Sequence, residues 1–347
     1  MPHPPNFLVI RRRYLGDVVL LGSLLRNLRL AHPDARVDVV VDPAYAPILV
    51  LNPDVSSVVF PPTSLLEWPG FLLEVRRRRY THVLNFDNTE RTALITAASG
   101  AAFRVGATHG SHALKGRLAY THAVRDSASD HESRPITEYY LLALGPVGIE
   151  VKTREVRLVA RRDDQDGYRR LVGSSGPVVL IHPGSRSSYR VWPAERFAAV
   201  CDRLQDEMGA QVVLVGGPQD TAVLAAIRAR AKTHVLALAD APSLPQLAAL
   251  ASLSALFLCH DSGPMHVAAA VGTPVVALYG SQNAALFRPM GEGHTLLQAP
   301  MPCTACVAPD RCTPDDSYRN LCVQRIDVEA VMRAIRAKLQ HQPSSLA

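Results

Sequence analysis

Short apolar runs alternate with amphipathic segments along the first half of the chain. The run FLVI, from Phe7 to Ile10, predicts a buried strand, and the segment from Val18 to Leu30 carries leucines at the spacing of one helical face. Further β-rich runs follow at residues 37–41, 56–60 and 82–86. Repeated strand–helix alternation of this kind predicts a parallel sheet that helices cover on both faces.

A second alternation occupies the other half of the chain. The strand-like runs PVVLIH, QVVLVGG and ALFLCHD are separated by helical segments such as the one from Ala194 to Met208. Between the two alternations, residues 121–166 are more polar, and RDSASDHES reads as an exposed loop. We therefore predict two doubly wound α/β domains, at residues 1–170 and 171–347. With 347 residues and 48% apolar side chains, the chain is long enough to bury both cores.

The chain is basic, which narrows the choice of partners. Lys and Arg number 37 against 31 Asp and Glu, and this favours phosphate groups, an anionic membrane surface or nucleic acid. Aromatic residues make up only 6% of the chain and do not interleave with the basic runs, which argues against nucleic acid. Those runs, Arg11–Arg13 and Arg76–Arg79, are most simply solvated surface; lipid head groups or a phosphorylated glycan are the alternative partners.

The sequence gives no sign of a targeting or membrane-spanning segment. The N-terminal apolar run has four residues before RRR, which is too short for a signal peptide. No apolar run approaches the roughly 18 residues of a membrane span. We expect a cytoplasmic protein that touches a membrane without crossing it.

The segment HDSGPMH marks a helix start at the end of a strand. Free backbone NH groups at such a start, with the positive end of the helix dipole, suit a phosphate, and Gly263 lets a ligand approach the backbone closely. Ordinary capping by Asp261 or Ser262 is the alternative. Met265 and His266 lie in the first turn, and capping alone has no need of a histidine beside the aspartate.

The segment HPGSRSSYR follows another strand and combines small residues with fixed positive charge. Gly184 and Ser185 supply small hydrogen-bonding groups, while Arg186 and Arg190 supply guanidinium groups that suit polyphosphate oxygens. No Gly-Lys-Ser/Thr follows, so the segment is not a P-loop. A solvated Ser/Arg loop is the alternative.

Asp17 follows Gly16 between the first strand and the first helix. It either caps the helix, as most such residues do, or points across a cleft as a general base that the helix dipole keeps ionised. The second interpretation gains weight because one domain offers an acid and the other offers phosphate cradles. The GxGxxG pattern of dinucleotide-dependent oxidoreductases is absent from this first turn, which argues against a dehydrogenase.

Four cysteines near the C-terminus follow the pattern C-x2-C-x5-C-x9-C. In a reducing cytosol, thiols this close favour a structural metal site, with tetrahedral zinc as the first choice. Unligated thiols and a pair of disulfides remain alternatives, because the spacing departs from paired C-x2-C knuckles. The four residues are Cys303, Cys306, Cys312 and Cys322.

Several segments, taken together and in order, resemble one family. They are LGDVVLLGSLLRNLRLAHPDARVDVVV, IHPGS with RVWPAERF, LVGGPQD, and HDSGPMHVAAAVGTPVVALYG. The resemblance is to glycosyltransferase family 9, the ADP-heptose:lipopolysaccharide heptosyltransferases, and it extends from about Leu8 to Arg325. It implies the GT-B architecture, in which two Rossmann-like domains face a central cleft, with the acceptor on the first domain and the nucleotide sugar on the second.

The resemblance also implies roles for individual residues. Asp17 is implied as the catalytic base for the acceptor hydroxyl, and Asp261 as a contact of the donor sugar. Arg190 stands where the family commonly has a lysine at the diphosphate, a change that keeps the charge but replaces a point charge with a planar fork. The other implied donor contacts are the amides near Ser262, Gly263 and Met265, with His266 beside the diphosphate.

The implied reaction is an inverting transfer of heptose from ADP-heptose to a lipopolysaccharide core acceptor. Asp17 would deprotonate the acceptor, and a clamp of Arg190, Ser185 and the helix start at Met265 would stabilise the leaving diphosphate. Because such a clamp can replace a divalent cation, we expect no catalytic metal and, at most, a structural zinc. We expect the enzyme at the cytoplasmic face of the inner membrane. A transferase or epimerase using a UDP sugar, and a non-catalytic relative that binds a nucleotide sugar or glycan, are the alternatives.

Overall fold

The computed structural model describes residues 4–172, 176–187, 190–238, 241–301 and 321–340. These residues form two compact α/β units, which divide between Val159 and Ala160. Each unit contains one six-stranded sheet whose strands all pair in parallel. The predicted fold class, two α/β units with parallel sheets, is confirmed.

Six parallel strands form the sheet of the first unit. They are β1 (Asn6–Ile10), β2 (Arg36–Val40), β3 (Ser57–Val59), β4 (His82–Asn85), β5 (Phe103–His109) and β6 (His122–Asp126). Their order across the sheet is β3-β2-β1-β4-β5-β6. The order reverses between β1 and β4, and such a reversal leaves a crevice at the carboxyl ends of the strands.

Seven α-helices accompany this sheet in the described part of the first unit. They are α1 (Leu15–Leu20), α2 (Gly22–Ala31), α3 (Ala46–Leu49), α4 (Trp68–Arg77), α5 (Glu90–Ser99), α6 (Ala128–Ser133) and α7 (Ile136–Leu141). Trp68 and Val75 of α4 are buried in one core with Ile95 of α5. Leu8 and Ile10 of β1 complete this core, so the central strand is covered as its apolar run predicted.

The second unit repeats the topology of the first. Its strands are β7 (Val178–His182), β8 (Gln211–Leu214), β9 (Leu236–Ala237), β10 (Leu256–His260), β11 (Val275–Tyr279) and β12 (Thr295–Gln298). The order across the sheet is β12-β11-β10-β7-β8-β9, so the reversal falls between β7 and β10. The helices are α8 (Arg162–Val172), α9 (Ala194–Met208), α10 (Thr221–Arg230), α11 (Leu244–Ser252), α12 (Gly263–Ala270), α13 (Leu321–Gln324) and α14 (Val328–Gln340).

The second sheet is buried on both faces. In β7, Val179 and Ile181 belong to one core with residues of α9 and α14, whereas Leu180 belongs to the other core with residues of α11 and α12. Successive side chains of a strand point to opposite faces, so a run of consecutive apolar residues supplies both cores.

The polar stretch at residues 121–166 is more regular than its sequence predicts. It contains β6, an edge strand that pairs with β5 and whose side chains from His122 to Arg125 are alternately half-buried and exposed. The segment expected to be an exposed loop contains α6, where the Ser127 hydroxyl caps the helix by accepting a hydrogen bond from the Asp130 amide at 3.1 Å. The polar composition reflects exposure at a sheet edge and not a lack of secondary structure.

Helix α8 explains why the units divide before Ala160 and not after residue 170. It packs against α11, and the Gln165 side chain donates a hydrogen bond to the Ser252 hydroxyl at 2.8 Å. The helix therefore belongs to the second unit. In the parts of the chain that the structure describes, none of the helices combines the length and apolar content needed to cross a bilayer.

Candidate functional site

Each unit carries a polar cluster at the reversal of its strand order. Asp17 follows β1 in the first unit, while Gly184 follows β7 and Asp261 follows β10 in the second. Parallel strands end at the same edge of a sheet, and ligands of α/β folds bind at that edge where the strand order reverses. The topology thus places the sequence-identified residues at the expected binding edge of each sheet.

Asp17 lies in the first turn of α1 and contacts two side chains that are distant in sequence. The Tyr140 hydroxyl donates to its Oδ1 at 2.6 Å, and Nη2 of Arg11 lies 2.8 Å from the same oxygen. The residue before α1 is Tyr14, and among the described residues no side chain caps this helix start. The capping interpretation of Asp17 is therefore wrong.

Tyr140 and Arg11 both keep their protons at neutral pH. Burial is the main cause that raises the pKa of Tyr140 well above its usual value; Arg11 opposes this effect and Asp17 adds to it. Burial alone would lower the pKa of Arg11, but Tyr140, Asp17 and Asp87 together raise it above its usual value. The Oδ2 atom of Asp17 takes part in neither contact, so the carboxylate retains an oxygen that suits a proton acceptor.

The basic run that contains Arg11 is only partly solvated. Arg11 also donates to the Phe86 carbonyl at 3.2 Å, and Nε of Arg12 donates to Asp42 at 2.9 Å, whereas Arg13 is mostly exposed. The sequence-based interpretation of solvated surface is wrong for Arg11 and Arg12. Their position directly after a buried central strand was the signal that could have identified them.

Asp261 is the first residue after β10, and its side chain is 11% exposed. Burial raises the pKa of this carboxyl group to about 6, and Arg190 opposes the rise from 3.7 Å away. The side-chain carbonyl of Gln282, in the orientation that its neighbours require, accepts hydrogen bonds from the Arg190 guanidinium. The structure thus brings Arg190 and Asp261 together, and a buried carboxylate beside a planar cation is suited to sugar hydroxyls and phosphate oxygens.

The start of α12 is not closed by its own side chains. Ser262 precedes the helix, and within the described chain neither it nor Asp261 makes a capping hydrogen bond. The hydroxyls of Ser262 and Ser281 are buried and have no hydrogen-bond partner among the residues that the structure describes. Because buried hydroxyls normally make hydrogen bonds, these two can serve a bound ligand. Side-chain capping is therefore the wrong interpretation for this segment. Gly263 is the first residue of α12, and the hydroxyls of Ser262 and Ser281 remain as hydrogen-bond donors.

Met265 does not present a free amide at this helix start. Its NH donates to the Ser262 carbonyl at 3.1 Å, and its side chain is fully buried beside Tyr279. The expected diphosphate contact from the Met265 amide stays a prediction, and this amide would have to share its hydrogen with the first turn. His266, one residue later, is also buried.

The loop after β7 is fixed by close contacts. A Cβ atom on Gly184 would lie 2.1 Å from Oδ1 of Asp220, so only glycine fits there. The Gly184 carbonyl contacts Nδ1 of His260 at 3.3 Å, and Nε2 of His260 accepts from the Trp192 amide at 2.8 Å. Ser185 is half-buried in this loop, and Arg186 is exposed.

His260 links the two donor-side loops and stays neutral. Burial lowers its pKa to about 3, so at neutral pH one ring nitrogen donates to Gly184 and the other accepts from Trp192. Sequence reasoning missed His260 and Asp220, although His260 stands directly before Asp261. The residues that His260 contacts, Gly184 and Trp192, lie 76 and 68 positions away in the sequence. No local sequence pattern reveals contacts over such separations.

The cysteine pattern extends beyond the described residues. Cys303, Cys306 and Cys312 lie outside them, whereas Cys322 is buried in α13. In the described ranges, no three His, Cys, Asp or Glu side chains are grouped as metal ligands would be. The zinc prediction thus stays a prediction.

Comparisons with known proteins agree with this arrangement. The family model for glycosyltransferase family 9 (heptosyltransferase) matches residues 71–314. Lipopolysaccharide heptosyltransferase 3 of Escherichia coli is 29% identical over 295 residues, covering 81% of this chain and 84% of that protein.

Two solved structures share the fold. The family 9 glycosyl transferase from Veillonella parvula has a TM-score of 0.82 at 24% identity over 97% of this chain and 98% of its own. ADP-heptose lipopolysaccharide heptosyltransferase II of E. coli has a TM-score of 0.77 at 23% identity over 96% and 98%.

The two Rossmann-like units and these structural neighbours define the GT-B fold class. The family match then gives the narrower assignment, and it confirms the resemblance seen in the sequence. The chain belongs to glycosyltransferase family 9, the heptosyltransferase family.

Proposed function

We propose that this protein transfers a heptose from ADP-heptose to a lipopolysaccharide core acceptor with inversion at the anomeric carbon. The observation that carries the proposal is the environment of Asp17, a carboxylate held by Arg11 and Tyr140 through one oxygen only. The names of the relatives, which include lipopolysaccharide heptosyltransferases, support the choice of donor and acceptor.

In the proposed reaction, Asp17 takes the proton of the acceptor hydroxyl. The acceptor oxygen forms a bond to the anomeric carbon on the face opposite the leaving group, while the bond from that carbon to the β-phosphate oxygen breaks and its electron pair leaves with ADP. Arg11 stays charged beside Asp17 and orients the carboxylate. The reaction needs one base and one acceptor for negative charge.

The donor-side residues would accept the charge that develops on ADP. Arg190, Ser262 and the start of α12 at Gly263 offer one cation, one unsatisfied hydroxyl and a helix dipole. Asp261 would accept hydrogen bonds from the donor sugar. We assign the loop of Gly184, Ser185 and Arg186 to the diphosphate, and we propose that His266 lies beside it.

Metal requirements form a separate part of the proposal. Because a fixed guanidinium and a helix start supply positive charge, we propose that turnover needs no divalent cation and persists in EDTA. We also propose that Cys303, Cys306, Cys312 and Cys322 hold a structural zinc. Metal analysis of the purified protein, repeated on a Cys303→Ser variant, tests this; a zinc content near zero in both would contradict it.

We propose that the first unit docks on the anionic cytoplasmic face of the inner membrane. Leu65 and Leu66 are 76% and 91% exposed in the segment that follows β3, and the Arg13 side chain, after β1, is 64% exposed. Both segments follow strands at the edge that carries Asp17. Exposed leucines and an exposed cation at the same edge of a sheet suit the boundary between head groups and acyl chains.

Co-sedimentation with vesicles of phosphatidylglycerol and phosphatidylethanolamine tests the docking proposal. Replacing Leu65 and Leu66 with serine should weaken vesicle binding about a hundredfold, since two buried leucines at roughly 1.5 kcal/mol each contribute about 3 kcal/mol together. Leu94→Ser, on an exposed position of α5, is the matched control and should bind as the wild type does. Equal binding by all three proteins would exclude this surface.

Donor turnover tests the catalytic proposal. The assay compares ADP-heptose with UDP-glucose and UDP-N-acetylglucosamine, in EDTA, with extracted core lipopolysaccharide as acceptor and released nucleotide as the readout. We expect ADP release that depends on acceptor, that is lost in Asp17→Asn, and that persists in Asp34→Asn, an exposed control. Release of UDP alone would overturn the donor assignment, and full activity of Asp17→Asn would overturn the base.

A further inference from the structure

A cavity of about 130 Å³ lies beside the Asp17 cluster in the first unit. It is formed at the carboxyl ends of β1, β4 and β5, next to the reversal of strand order. Its lining includes Arg11, Phe86, Asp87, Thr108, His109 and Tyr139. The proposed chemistry uses Arg11 alone from this set, so the remaining residues need another explanation.

Two links connect the cavity to the proposed base. Arg11 lines the cavity and also binds Asp17 at 2.8 Å. Tyr139 lines the cavity, and the next residue, Tyr140, donates to Asp17 at 2.6 Å. A molecule whose hydroxyl reaches Asp17 is therefore within reach of the cavity walls.

Asp87 is the acidic group of the cavity. Its side chain is 8% exposed, and Oδ1 accepts from the Arg12 amide at 3.0 Å and lies 3.8 Å from Nη1 of Arg11. These contacts are made by Oδ1 alone, so Oδ2 remains for a donor in the cavity. Burial is the main cause that raises the pKa of Asp87, while the Arg12 amide and the charges of Arg11 and Arg12 oppose the rise without cancelling it.

Aromatic rings form another part of the wall. The rings of His109 and His131 stack at 4.1 Å between centroids, and Tyr139 meets both edge-on. Phe86 contacts Tyr139 in the same edge-on manner, at 5.8 Å. These contacts fix the rings in place and give a rigid apolar surface next to polar groups, a combination typical of small-molecule pockets.

The charges of the wall favour a neutral ligand. Arg11 is the cation, and it is balanced by the carboxylates of Asp17 and Asp87. Burial, followed by the nearby His131, lowers the pKa of His109 to about 4, so this ring is uncharged at neutral pH. A phosphate or carboxylate would therefore meet no unbalanced positive charge from these groups, whereas a hydroxylated ring would find acceptors and apolar faces.

We propose that this cavity is a subsite for a neutral sugar ring of the acceptor, and that Asp87 accepts a hydrogen bond from one of its hydroxyls. Asp87 then acts in acceptor specificity, while Asp17 acts on the reacting hydroxyl. This inference rests on the proposed function, because it takes the acceptor to be a saccharide.

Binding of delipidated core oligosaccharide, measured by titration calorimetry, tests the subsite without turnover. Asp87→Asn keeps an oxygen for the Arg12 amide, so it should fold, but it weakens the acceptor for a sugar hydroxyl. Loss of a hydrogen bond to a charged group predicts about tenfold to hundredfold weaker binding. Asp34→Asn should bind as the wild type does, and ADP should bind all three proteins equally. Phosphatase treatment of the oligosaccharide should leave its affinity for the wild type unchanged.

Hydrogen–deuterium exchange on the wild type gives a readout that needs no variant. Oligosaccharide should protect the segments at residues 86–88 and 108–112. Equal affinity of wild type and Asp87→Asn, absence of protection, or binding that depends on phosphate would each overturn the subsite. Failure of the proposed function would look different. The oligosaccharide would bind and would protect these segments from exchange, but no heptose would be transferred to it.

Discussion

The buried carboxyl group of Asp261 should make the second unit less stable than it could be. The unit must fold with this group removed from water, and burial raises its pKa from 3.8 to about 6 even with Arg190 nearby. In the unfolded chain, an aspartate has its ordinary pKa. Above pH 6 the folded state therefore keeps an ion that the unfolded state solvates better.

The size of the effect follows from this difference in pKa. A change in pKa from 3.8 to about 6 corresponds to about 3 kcal/mol. Above pH 6, where Asp261 is ionised in the folded state, the unfolding free energy of the wild type is lower by this amount. As the pH falls from 6 to 4, the folded state takes up the proton first, and the penalty disappears. Asp261→Asn removes the ion, so the variant should be more stable than the wild type by up to about 3 kcal/mol at pH 8 and equally stable near pH 4.

Tryptophan fluorescence in urea can measure this in the second unit alone. The chain has two tryptophans, Trp68 in the first unit and the fully buried Trp192 in the second, so a Trp68→Phe background leaves Trp192 as the reporter. Asp206→Asn, at an exposed position, is the matched control and should change stability little. A stability gain that is the same at pH 8 and pH 4, or no gain at pH 8, would falsify the reasoning.

Three further changes have expected outcomes. Tyr140→Phe removes one hydrogen bond to the Asp17 carboxylate, while Arg11 still holds the same oxygen. The variant should therefore lower kcat about tenfold and leave the KM for the acceptor unchanged, as a kinetic titration of the acceptor can measure. An unaltered kcat would exclude a role for the phenol. Gly184→Ala places a methyl group within 2.1 Å of the Asp220 carboxylate and should displace the loop. Calorimetry should then show ADP binding that is at least tenfold weaker. The control Gly145→Ala, with open space around its Cβ, should bind ADP normally. Arg190→Lys keeps the charge but loses the planar fork, so ADP affinity should fall by less than it does in Arg190→Ala; equal losses would show that charge is not what Arg190 contributes.

The sequence predicted the elements that are buried on both sides. Strands such as β1, β7 and β10 are runs of consecutive apolar residues, and such runs keep their signal because both faces are covered. It failed for β6, because an edge strand with alternating exposure has a polar composition that resembles a loop. The predicted domain boundary after residue 170 falls inside α8. Only the packing of α8 against α11 assigns that helix to the second unit.

The candidate site divides in the same way. The sequence by itself determined that Asp17, Gly184 and Asp261 follow strands, because turns and helix starts leave local patterns of glycine, serine and proline. Only the tertiary structure decided their partners: Tyr140 stands 123 positions from Asp17, and the packing of α7 against α1 brings the two side chains together. The tertiary structure also decided the protonation of each group, because burial and the distance to a neighbouring charge arise only when the sheets form, and no spacing along the chain encodes them.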